Sequence, residues 1–158
     1  MTSEQHEPAP ALTLREAMTE RQVLRDQLLS ISKQFLTRYH ELAERVKEIT
    51  KNFGLDKPHG AGTKEEFLIL HKSFLNLVKD TKDSQDHSSA LMREIPSSKS
   101  SWHFIKNRLT PTRALQHELR IVRALKYELD HGTSERDGLL DRMQEVVDKM
   151  QELADADR

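Results

Sequence analysis

Glu128-Leu-Asp-His131 is the stretch whose spacing comes nearest to a metal-ligating pattern. A glutamate and a histidine three residues apart, repeated on two helices, help to hold di-iron centres in carboxylate bundles. This chain carries no second copy, and the pair stands at an expected helix end beside Gly132. Chance occurrence is therefore the better reading, and no metal or cofactor is expected. The remaining histidines, His6, His40, His59, His71, His87, His103 and His117, include no pair four apart and are expected at the surface or its boundary. His71 lacks the lysine-glycine surroundings that histidine phosphotransfer would require. The chain has no cysteine, which rules out disulfides, thiolate catalysis and cysteine-held zinc or iron–sulfur centres. Without a GxSxG, a phosphate-cradling glycine loop or an HExxH, no catalytic residue is expected and the chain is not expected to be an enzyme.

Interaction chemistry is better represented. Residues 93–126 hold eight basic and two acidic side chains (+6), residues 127–158 four basic and ten acidic (−6), and residues 1–92 are nearly balanced at 13 and 14. The plainer reading is that the basic block and the acidic segment solvate opposite parts of a bundle, or pair with each other. The sharper one is that Arg113, Arg120 and Arg123, which share one helix face, bind an anionic partner such as a phosphoinositide membrane surface or nucleic acid. Nucleic acid is disfavoured, because aromatic residues are few and no binding fingerprint is present. Trp102-His-Phe-Ile105 is spaced like the short aromatic-x-x-aliphatic motif read by autophagy modifiers, which it resembles without acidic flanks. The favoured reading is that Trp102, Phe104 and Ile105 plug the end of the bundle. Ser97, Ser98, Ser100, Ser101 and Thr110 form a candidate phosphorylation cluster, or simply a polar loop and a helix cap.

The elements that must position these residues are helices. Leu28, Phe35, Leu42 and Ile49 recur every seven residues, with Tyr39, Val46 and Phe53 as a second row and Leu24, Ile31 and Leu36 widening the stripe. Thr13 with Glu16 makes a capping box, and Gly54 a stop, so a first helix is expected over 13–53. At about 1.5 Å per residue it would be roughly 60 Å long. Thr63 with Glu66 repeats the capping box, and Phe67, Phe74, Thr81, Ser88 and Ile95 keep phase, which predicts one helix over 63–94 despite a polar middle. Residues 96–109 read as a loop with a short helical turn. Thr110-Pro111 starts a third helix over 110–131, and Gly132 breaks or kinks it before a last segment over 134–155.

Residues 1–12 are expected to be a disordered tail, and 13–158 a single all-α domain: an elongated antiparallel bundle of three long helices with coiled-coil character. Its outline resembles the general architecture of spectrin-like and syntaxin-type bundles. The sequence starts without a recognisable secretory signal, and its longest apolar run, Phe67–Leu70, is far short of a membrane span. A cytoplasmic location is expected, with the nucleus as the alternative. The expected function is a non-catalytic coiled-coil adaptor or structural subunit of a larger assembly. Its partner-binding face would be Leu140, Met143, Val147, Met150 and Leu153, with self-association among the options.

Overall fold

The computed structural model describes residues 13–95 and 110–157. They form α1 (Leu14–Phe53), α2 (Thr63–Glu94), α3 (Pro111–Tyr127), a π-helical turn (Glu128–Gly132) and α4 (Thr133–Ala156), with no strand among them. Helices α3 and α4 continue one rod through the π turn. The expected all-α bundle of three long helices is present. Its direction is up, down, up: Arg21 meets Glu118, Arg38 meets Asp141 and Arg45 meets Asp148, so the third rod runs parallel to α1. The intervening α2 is antiparallel to both, since its start stacks Phe67 on Phe53 and its end packs Met92 near Leu24. Both α1 and α2 pack on the third rod, while their own backbones approach each other at few points.

Local chemistry explains the boundaries. The Thr13 hydroxyl accepts from the Glu16 N–H at 3.1 Å while the Glu16 carboxylate accepts from the Thr13 N–H at 3.2 Å, so the anticipated capping box opens α1. Gly54 ends α1 at φ 69°, a conformation that a Cβ would disfavour. The second expected capping box does not form. Gly62, at φ 79°, is the N-cap of α2, and Thr63 is already helical with its N–H donating to the Gly60 carbonyl. The glycine turn leads the chain into the helix one residue early, which leaves the threonine inside it. Thr110 caps α3 by accepting from the Arg113 N–H at 3.3 Å, with Pro111 at the first position, where its missing donor costs nothing.

One apolar cluster fills the end of the bundle where α1, α2 and α4 run together, with Phe35, Leu42, Phe53, Phe67, Phe74 and Met143 among its members. A smaller cluster lies at the other end: Leu24, Leu28, Met92, Ile95, Val122 and Leu125. The polar middle of α2 stays helical because its in-phase residues, Thr81 and Ser88, are buried against the third rod, and Thr81 bonds back to the Leu77 carbonyl at 2.6 Å. Leu36, expected within the α1 stripe, instead lies half-exposed beside α2. The interruption expected near Gly132 takes the form of a π-helical turn. The rod passes through it with φ −64°, in wider π hydrogen bonding, and resumes as α4. The expected tail at 1–12, the loop at 96–109 and the WHFI and serine readings fall outside the described residues, apart from Thr110.

Candidate functional site

Leu140, Met143, Val147 and Met150, the face expected to receive a partner helix, are buried by this chain's own α1 and α2, and Leu153 packs partly buried beside them. The α4 stripe is therefore core, filled from within the chain. What remains for function must be sought in polar groups inside the bundle and in side chains left outside it.

Two ion pairs lie inside. Arg21 of α1 donates from Nη1 to both carboxylate oxygens of Glu118 in α3, at 2.8 and 3.1 Å, and both side chains are 0% exposed. Arg136 donates from Nη1 to Glu128 Oε1 at 2.9 Å, and its guanidinium carbon sits 5.9 Å from the centre of the Phe35 ring. Its Nε and Nη2 have no hydrogen-bond partner among the described residues. The π turn makes this second pair possible. Glu128 folds back over Gly132, where a Cβ would stand 2.2 Å from Oε1, so the glycine provides room for the carboxylate and its partner. Such pairs cost much to desolvate and little to keep once made, so removing one member is far worse than removing both.

A shallow cleft of about 690 Å³ opens beside the π turn, between α2 and the third rod. Asp80, Asp83, His87, Glu128 and His131 line it. Glu128 is turned towards Arg136, while the His131 ring lies 4.3 Å from that of Tyr127, so the Glu-x-x-His pair points to two different partners. Among the described residues no three acidic or histidine side chains are gathered closely enough to hold a metal ion.

At the far end, His59 stacks on Phe53, ring centres 3.9 Å apart and nearly parallel, and Phe67 stacks on the other face of Phe53. Its two ring nitrogens face two acceptors, Asp157 Oδ2 at Nδ1 and the Gly54 carbonyl at Nε2. Satisfying both requires both N–H groups, hence the imidazolium. The Asp157 hydrogen bond, followed by the Gly54 carbonyl, raises the His59 pKa above its ordinary value, and the His59 contact lowers that of Asp157. This is a clasp between the α1–α2 turn and the end of α4.

The outer surface carries the remaining candidates. Arg113, Arg120 and Arg123 are exposed on α3, as the sequence spacing requires, and make no ion pair among the described residues. Between α1 and α2 runs a groove of about 470 Å³ lined by Arg25, Leu29, Lys33, Leu36, Met92 and Arg93. Leu29 and Leu36 stand seven apart, and Leu36, expected to widen the core stripe, lines this groove instead. No family model matches this chain, and neither the curated proteins nor the solved structures compared with it show a match.

Proposed function

We propose that this chain is a non-catalytic protein-interaction module, an adaptor or structural subunit of a larger assembly that offers the outer faces of α1 and α2 to a partner. The observation that carries this reading is the apolar surface left on those faces after the core is complete: Val23 at 50% exposure, Leu29 and Leu36 at 40%, and Leu68, Ile69 and Leu75 at 42 to 69%. Isolated exposed apolar residues are ordinary, but rows at seven-residue spacing on two adjoining helices match the way helices recognise helices. Affinity capture from the native cell, with identification of co-eluting chains, tests it. A reproducible partner lost on Leu68→Glu/Leu75→Glu or Leu29→Glu/Leu36→Glu supports the proposal; background proteins alone, unchanged by either pair, contradict it.

A second reading rests on the exposed arginines of α3. Arg113, Arg120 and Arg123 form a cationic face suited to an anionic membrane surface or to nucleic-acid phosphates. Binding to phosphoinositide vesicles or duplex DNA that fades with salt and disappears in Arg113→Glu/Arg120→Glu/Arg123→Glu supports it. No binding at low ionic strength removes it.

A further inference from the structure

We propose that the α1–α2 groove is the docking site for an acidic amphipathic helix of a partner protein, an inference that rests on the interaction reading above and gives it a location. The floor is apolar: Leu29 and Leu36 of α1, both half-exposed, face Met92 of α2. The walls are antiparallel helices held apart by the third rod, which leaves on their open side the kind of channel into which a further helix lays its apolar ridge.

The lining charge has one sign. Arg25, Lys33 and Arg93 border the floor, no acidic side chain lines it, and none of the three cations makes an ion pair among the described residues. A helix with leucines at i, i+4 and i+7 and flanking glutamates would cover the floor and neutralise the rim. Other occupants fit less well. Residues 96–109 of this chain would bring Lys99, Lys106 and Arg108 with no carboxylate. The acidic α4 of a second copy has its apolar row buried in its own bundle. Single-stranded nucleic acid would want stacking aromatics, and a duplex backbone a polar, basic surface, rather than a leucine and methionine floor.

Fluorescence anisotropy on the full chain tests the assignment, with a labelled helical peptide of about five turns bearing a leucine ridge flanked by glutamates. Its counterpart has lysine at each glutamate position. The acidic peptide should bind, and Lys33→Glu/Arg93→Glu should weaken it at least about tenfold, equal to ~1.4 kcal/mol. Leu29→Glu/Leu36→Glu should abolish binding while the melting curve stays cooperative. The Arg25→Glu/Lys33→Glu/Arg93→Glu variant should prefer the lysine peptide. The proposal is overturned if the acidic peptide does not bind, if both peptides bind alike, or if groove variants leave binding unchanged. It is equally overturned if anionic vesicles or DNA, rather than the peptide, lose binding in those variants. A partner captured from cells that survives Leu29→Glu/Leu36→Glu sinks the groove and leaves the interaction reading standing; absence of any specific partner sinks that reading instead.

Discussion

At the Phe53 end of the bundle three helices meet around phenylalanines, leucines and methionines; at the Arg21 end, among the described residues, α1 and α3 meet around a guanidinium and a carboxylate. The first region is closed by aromatic stacking and the His59–Asp157 clasp. The second holds the smaller apolar cluster between two buried ion pairs, and the open α1–α2 groove adjoins it. Apolar packing gains with every contact made, whereas a buried charge pair stabilises only while both members are present. This contrast predicts that the first end is the last to open and that the second, which adjoins the groove, opens first.

The largest expected effect tests that contrast directly. Glu118→Ala should cost ~3–5 kcal/mol in urea denaturation by leaving Arg21 buried without its carboxylate, whereas Arg21→Met/Glu118→Leu should be close to neutral or stabilising. In the anchor, Phe67→Ala should cost about 3–5 kcal/mol with no comparable rescue by a second substitution. A double substitution at 21 and 118 as damaging as the single one would break the comparison. Gly132→Ala should destabilise by ~1–3 kcal/mol because the new methyl displaces Glu128 from Arg136. In a Glu128→Ala/Arg136→Leu background the same change should turn mildly stabilising, by up to ~1 kcal/mol, since Gly132 has right-handed helical dihedrals, φ −64° and ψ −41°, that alanine adopts without strain. At the surface, Asp141→Ala removes an exposed bond to Arg38 and should cost under ~1 kcal/mol.

A pH series sharpens the description of the anchor. The raised His59 pKa makes its clasp stabilising below the ordinary value of 6.5, and that contribution is lost as pH rises through the folded-state pKa. The lowered Asp157 pKa makes its share present above 3.8 and lost as pH falls through the folded-state value. The melting-temperature gap between wild type and Asp157→Asn should therefore be widest between these values and narrow on both sides. A gap independent of pH would contradict the clasp.

Much of the architecture was legible because the seven-residue rows of α1 and α2 lie in the core, with Ser88 and Thr81 keeping phase where hydrophobicity lapsed. The buried charges were legible too, had phase outweighed residue type: Arg21 stands seven before Leu28, Glu118 seven before Leu125, and Arg136 seven before Met143. The irregularity near Gly132 is legible in the sequence, but its form as a π turn is not, because it is set by the Glu128 side chain four residues earlier, a tertiary demand that helix propensity does not encode. Periodicity reveals the apolar face of α4 without revealing that α1 and α2 of the same chain cover it. The groove is not legible for the same reason: it is made by two helices brought together only in the fold.

Native-state hydrogen exchange of the full chain tests the two-region account most directly. Amides of 67–78 and 140–150 should exchange only through global unfolding, while those of 85–95 and 113–125 should open at distinctly lower free energy and follow one another when Glu118 is replaced by alanine. Uniform protection across both sets, with the alanine variant loosening them equally, would contradict it.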